Sequence, residues 1–217
     1  MKPNWPDVKE GVNAIVIVAH PDDETIFCGG TILTYPKWNW SVVCVTMQTN
    51  TSRPQEFQNA MSLYKNYGVN IHHYLTLKKV DRNHLLSEIE FNDWKNSIQQ
   101  LNLSPDIVFT HNVMGEYGHD HHMSLSKIIG EIFSNVWEFV YPGDEKISPQ
   151  PVKALINRVE LTGGILKKKR EIFKTYEEDQ PNRYYSEFIN NKSGNNFGPA
   201  NRAPNFRHLE HQTICSP

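Results

Sequence analysis

The chain has 217 residues, a formal charge of -2 and 38% apolar residues, with a mean hydropathy of -0.57 and a pI near 6.5. That length suits one domain, and the near-neutral charge provides no general field for nucleic acid or anionic lipid. Neither a secretory leader nor a membrane span is legible at the start of the chain, where the polar residues 1–10 precede an apolar run of only six residues at 14–19, so a cytoplasmic location is expected.

The first element expected in chain order is a strand over residues 13–19, a continuous β-branched run without alternation. Such a run suits a strand buried on both faces of a parallel sheet. Residues 41–46 repeat the pattern, and residues 106–110 repeat it again after Pro105. Weaker strand signals lie at 71–77 and 137–141. Between the strands the period becomes helical: Phe57, Ala60, Met61 and Tyr64 share a face ahead of Gly68, Trp94, Ile98 and Leu101 mark a second helix, and Leu125, Ile128, Ile129 and Ile132 a third. Alternating strands and helices predict an α/β, Rossmann-like, open and mainly parallel sheet with helices on both faces. Another helical pattern runs through Ile165, Leu166, Ile172, Phe173 and Tyr176, with the basic run at 167–170 read as a solvated face. From Asn190 onward the composition turns to Asn, Gly, Pro and Arg, which predicts an irregular C-terminal segment, 190–217. Cys28, Cys44 and Cys215 are too few and too scattered for a disulfide framework or a cysteine metal site; the first two are expected in the core.

In an open α/β sheet, ligands bind beyond the carboxyl ends of the strands. The first strand runs into Ala-His-Pro-Asp-Asp-Glu at 19–24, and the 106–110 strand leads through His111 and Asn112 to Gly-His-Asp-His-His at 118–122. His20 and Asp23 stand three residues apart, as do His119 and His122. Two histidines and a carboxylate with one position left for water are a ligand set of catalytic zinc sites. The competing explanations are an acidic helix start for Asp22, Asp23 and Glu24 and a polar surface loop for the histidines. Glu24 is assigned no chemistry. Arg53 is placed either to reach a substrate's hydroxyl or phosphate oxygens or to pair with Glu56 on its own helix. His72, His73, His84 and His208 have no partner in the sequence.

The motifs at 19–24 and 118–122 resemble the two signatures of the PIG-L or LmbE-like N-acetylglucosaminyl deacetylase family, and the similarity extends to Arg53 and Glu56 and to residues 168–176 and Gln180. The resemblance implies an N-terminal extension at 1–12 and a deacetylase domain at 13–189, Zn2+ held by His20, Asp23 and His122, Asp22 as general base, and His119, protonated, stabilising an oxyanion. The substrate implied is a small N-acetylated amino sugar or its conjugate. One departure is visible: the family usually has Pro-Asp where this chain has Asp120-His121, which leaves open what orients His119 and whether His121 or His122 reaches the metal. Two alternatives stand beside this reading. One is a non-haem iron oxygenase using the same ligand types; the other is a catalytically weakened, sugar-binding relative.

Overall fold

The computed structural model describes residues 10–49, 51–81, 84–140, 157–158, 161–176 and 196–199. Five strands lie parallel: β1 (Asn13–Val18), β2 (Asn39–Thr46), β3 (Ile71–Lys79), β4 (Ile107–Thr110) and β5 (Val136–Val140), in the spatial order β3-β2-β1-β4-β5. β7 (Asn196–Pro199) runs antiparallel to β5 and carries β6 (Asn157–Arg158) at the edge. The α/β architecture with a mainly parallel sheet is thus as expected. β7, however, falls inside the segment expected to be irregular. Its residues, Asn-Phe-Gly-Pro, carry no strand period, and the open edge of β5 supplies the pairing that local preference does not. Gln180, His208 and Cys215 lie outside the described residues.

The alternating side chains of the central strands feed two cores. Ala14, Val16, Val18, Val42, Cys44, Ile107 and Phe109 pack with the helices on one face, α1 (Gly29–Thr34), α2 (Arg53–Asn66) and α6 (Gly163–Phe173). Ile15, Ile17, Ala19, Val43, Val45 and Val108 face the other side, against α3 (Glu88–Gln100) and α5 (Asp120–Ile132), the latter preceded by the short α4 (Gly115–Gly118). Burial on both faces is why these strands read as unbroken apolar runs. The α2 face expected from the helical period is buried as a unit, Phe57, Ala60, Met61 and Tyr64. Gly68 ends that helix at φ +83, a left-handed conformation that glycine adopts without strain. Both described cysteines are buried and free.

The basic run departs from its expected role at one position. Lys169 is 3% exposed and donates to the Ile26 carbonyl at 2.7 Å, beneath the segment that follows β1. Among the described residues no helix is long and apolar enough to cross a membrane.

Candidate metal centre

The strand order reverses at β1: the chain moves outward through β2 and β3, then returns to place β4 on the other side of β1. The crevice between the carboxyl ends of β1 and β4 is therefore the topological switch point where such sheets bind ligands. Both histidine-bearing segments open there. Thr110 Oγ1 donates to the Ile17 carbonyl at 2.8 Å, Thr46 Oγ1 to the Ala19 carbonyl at 2.7 Å, and the Ala19 N–H points to His111 Nε2 at 3.1 Å, which ties the three strand ends together.

From β1 the chain enters a tight turn and then a π-helical turn, Glu24–Cys28, that continues into α1. Asp22 sits at φ +120, a backbone state that costs a non-glycine residue about 1–3 kcal/mol. Its surroundings hold it there. The Asp22 carbonyl accepts from the Thr25 and Ile26 N–H groups, both at 2.9 Å, and its own N–H donates to Glu24 Oε2 at 3.1 Å. Glu24, which the sequence left as a helix-start charge, is fully buried, and its Oε1 accepts from Thr25 Oγ1 and the Tyr176 hydroxyl, each at 2.6 Å. Burial raises the Glu24 pKa against those hydrogen bonds.

Three atoms able to serve as metal ligands converge at the mouth of the crevice. His20 Nδ1 lies 3.2 Å from Asp23 Oδ2, His122 Nε2 lies 3.3 Å from the same oxygen, and the two nitrogens are 3.3 Å apart. A tetrahedral ion at about 2.0–2.1 Å from each atom would space its ligands about 3.3–3.4 Å apart, so the triangle fits a zinc-sized cation as it stands. Burial alone would raise the Asp23 pKa, but the positive character of His122 and His111 holds it well below the usual carboxylate range. Burial likewise disfavours a charge on His20, and Asp23 and Asp81 outweigh it.

Glu116, which no sequence signal singled out, is the hub behind His122. It is buried, lies at φ +56, and accepts from His122 Nδ1 at 2.6 Å, from His111 Nδ1 at 3.0 Å and from the Asn112 N–H at 3.0 Å. Its pKa falls to about 2: burial opposes this, and the two imidazoles overcome it. A carboxylate on the far nitrogen of a ligating histidine fixes the tautomer and aims the other lone pair at the ion. His111 belongs to the same unit. Burial would lower its pKa, whereas Glu116 and Asp23 together raise it to about 9. His111 Nε2 lies between a donor, the Ala19 N–H at 3.1 Å, and an acceptor, Asp23 Oδ2 at 3.3 Å. The sequence reading passed over His111, although it follows β4 as His20 follows β1, and that parallel could have pointed to it.

His119 caps α5, its Nδ1 accepting the His121 N–H at 3.3 Å. Burial, with His122 and His20 next, pushes its pKa down to about 3. That contact and the lowered pKa both favour the neutral ring with its proton on Nε2. What orients His119 is thus the start of its own helix, with no carboxylate needed. Arg53 bonds the Pro21 carbonyl at 2.7 Å and lies 3.5 Å from Asp22 Oδ2, and Glu56 accepts from Ser52 Oγ at 2.8 Å. His20, Asp22, Asp23, Arg53, Asp81, Tyr117 and His119 line a cavity of about 170 Å³, several times the roughly 30 Å³ share of one water. Of the histidines without a partner in the sequence, His72 and His73 are exposed on β3 and His84 sits 3.4 Å from Glu90.

The fold and this crevice define an α/β protein with a site competent for a divalent metal. The sequence profile of PIG-L, GlcNAc-PI de-N-acetylase, matches residues 15–133, more than half of the chain, and the protein belongs to that family. A protein of Acanthamoeba polyphaga mimivirus, the uncharacterized protein L374, is 30% identical over 146 residues, which cover 58% of this chain and 61% of that protein. The chain therefore spans less than two thirds of that relative. Among solved structures, a triple mutant of a deacetylase of the teicoplanin biosynthetic pathway is similar at a TM-score of 0.64 and 14% identity, covering 86% of this chain and 97% of its own. The 4-carboxy-2-hydroxymuconate hydratase GalB of Pseudomonas putida KT2440 is similar at 0.54 and 14%, covering 90% and 98%. At such identities the likeness is one of fold, and the fold is shared by proteins of different chemistry.

Proposed function

We propose that the protein is a zinc-dependent hydrolase that removes the acetyl group from a small N-acetylated amino sugar or its conjugate. The observation that carries this is the triangle of His20 Nδ1, Asp23 Oδ2 and His122 Nε2, with edges of 3.2, 3.3 and 3.3 Å, beside a second carboxylate, Asp22, in the same cavity. The family name and the similarity to a deacetylase support the reaction class. In this reading His20, Asp23 and His122 hold the metal. Zinc in such a set polarises an amide carbonyl and lowers the pKa of water to about 7.

The chain's own residues do the rest. Asp22 takes the proton from the attacking water and returns it to the departing amine, which leaves well only when protonated. The strained backbone at 22 and the Arg53 guanidinium keep this carboxylate facing the cavity. His119, neutral with Nε2–H as donor, bonds the carbonyl oxygen as negative charge develops there, an interaction of a kind worth about 3 kcal/mol. Arg53 reaches the sugar's oxygens from the other wall.

A screen of zinc-loaded protein over N-acetylated amino sugars, reading acetate and primary amine together, tests the proposal. Equal release of both is expected. Asp22→Asn should keep its zinc and lose about 100-fold or more in turnover, while His20→Ala should lose the metal. Addition of water to a carbon–carbon double bond without amine release would move the protein to the hydratases of this fold, activity only with Fe(II) and oxygen would make it an oxygenase, and sugar binding without acetate release would make it a binding relative.

A further inference from the structure

His20 presents its second ring nitrogen to a different set of groups. His121 Nδ1 lies 3.2 Å from His20 Nε2, and Asp81 Oδ1 lies 3.6 Å from His20 Nε2 and 3.4 Å from His121 Nδ1. We propose that His20 Nε2, His121 Nδ1 and Asp81 Oδ1 form a second cation site, alternative to the Asp23 and His122 set, for a divalent ion of the class that imidazole binds, such as zinc, cobalt or nickel. Two imidazole nitrogens and one carboxylate oxygen are the donor types those ions take. The three edges bracket the roughly 3.3–3.4 Å that a tetrahedral ion imposes on its ligands.

The protons are compatible with this assignment. His121 is fully buried, and its Nε2 has no hydrogen-bond partner, so nothing at that nitrogen competes for the tautomer that leaves Nδ1 with its lone pair. Asp81, 29% exposed in its side chain, closes the site toward the cavity, and Gln48 Nε2 donates to its other oxygen at 3.4 Å. Asp81 stands just past the end of β3, so the site joins the ends of two strands, β1 through His20 and β3 through Asp81, with the first turn of α5, which carries His121.

A neutral imidazole has one lone pair. With its proton on Nε2, His20 serves Asp23 and His122; with its proton on Nδ1, donated to Asp23 Oδ2 at 3.2 Å, it serves Asp81 and His121. The two sets therefore compete for one ring. An ion in the second set leaves Asp23 and His122 without their third ligand, and so holds the protein charged with metal in a form that does not turn over. That consequence for turnover rests on the proposed function. The existence of the site does not.

The test uses the full chain carrying Asp23→Asn, which keeps the shape of the first set and removes its charge. Zinc-edge anomalous scattering from crystals of this variant grown with Zn2+ is expected to place one ion among His20 Nε2, Asp81 and His121 Nδ1. In solution the variant should bind one equivalent of Co2+, followed by its visible absorption. Adding Asp81→Asn or His121→Gln should weaken that binding by at least about tenfold, since losing a ligand costs no less than the about 10–100-fold lost with an outer partner. His122→Gln serves as the second background if Asp23→Asn does not fold. An ion beside residue 122 in the Asp23→Asn crystals, or no ion in folded protein, overturns the proposal and shows Asp81 and His121 to be packing around His20. Failure of wild-type protein to release acetate would overturn the deacetylase reading and leave the anomalous map unaffected.

Discussion

Replacing Glu116 by glutamine changes one atom and sets a hydrogen-bonding problem that the site cannot solve. The carboxylate faces three donors: the Asn112 N–H on Oε1 at 3.0 Å, and His111 Nδ1 at 3.0 Å and His122 Nδ1 at 2.6 Å on Oε2. An amide has one oxygen and one NH2 group. If the oxygen serves both imidazoles, the NH2 meets the Asn112 N–H, and a buried donor goes unsatisfied at about 1–3 kcal/mol. If the amide turns over, its NH2 faces both imidazoles, and each must move its proton to Nε2. For His122 that places a proton on the nitrogen lying 3.3 Å from Asp23 Oδ2, where the metal needs a lone pair. Either way the short charge-assisted bond to His122 is lost, a further 1.5–3 kcal/mol on the scale of about that size for charged partners. We expect Glu116→Gln to lower the unfolding free energy of the metal-free protein by about 3 kcal/mol, read by urea denaturation. We also expect zinc affinity, read by chelator competition, to fall about 10–100-fold, equivalent to about 1.4–2.7 kcal/mol. A variant with wild-type stability and wild-type zinc affinity would refute the assignment of Glu116 as the group that sets the His122 tautomer.

Burial pushes the Lys169 pKa down to about 8 from 10.5. Between those values the unfolded chain binds the extra proton and the folded one does not, so stability should rise with pH through that window, by about 3 kcal/mol for this group. Lys169→Met should remove the rise, and a wild-type minus Lys169→Met difference that stays flat from pH 8 to 10.5 would contradict it. A Cβ at Gly29 would meet the Tyr64 hydroxyl at 2.7 Å, so Gly29→Ala should destabilise by about 1–3 kcal/mol despite better helix propensity. Tyr64→Phe removes the obstructing oxygen, and a denaturation cycle showing no coupling between the two changes would rule out the contact. Tyr176→Phe deletes the 2.6 Å bond to Glu24 Oε1 and should cost about 1.5–3 kcal/mol; because Glu24 also holds the Asp22 N–H, turnover should fall with little change in zinc content, and unchanged turnover would separate Glu24 from the positioning of Asp22.

Strands β1 to β5, the helices α2, α3, α5 and α6, and the two segments that meet at the crevice were all legible in the sequence. The reason is that burial on both sheet faces and on one helix face leaves a local record in the spacing of apolar residues, and motifs placed just after such strands open at a common rim. The sequence singled out His20, Asp22, Asp23, His119 and His122 as candidates that way. Residues whose role depends on what approaches them through space left no such record. Glu116 looks like any loop carboxylate until His111 and His122 close on it. Lys169 sits in a basic run and is buried because α6 packs it beneath Ile26. Glu24 gains its role from Tyr176, 152 positions away. β7 is a strand because β5 had an open edge. The protonation of His119 and the second environment of His20 were likewise decided by the fold, since a pKa and a tautomer are set by the dielectric, charges and donors within a few ångströms, and only the folded chain brings those together.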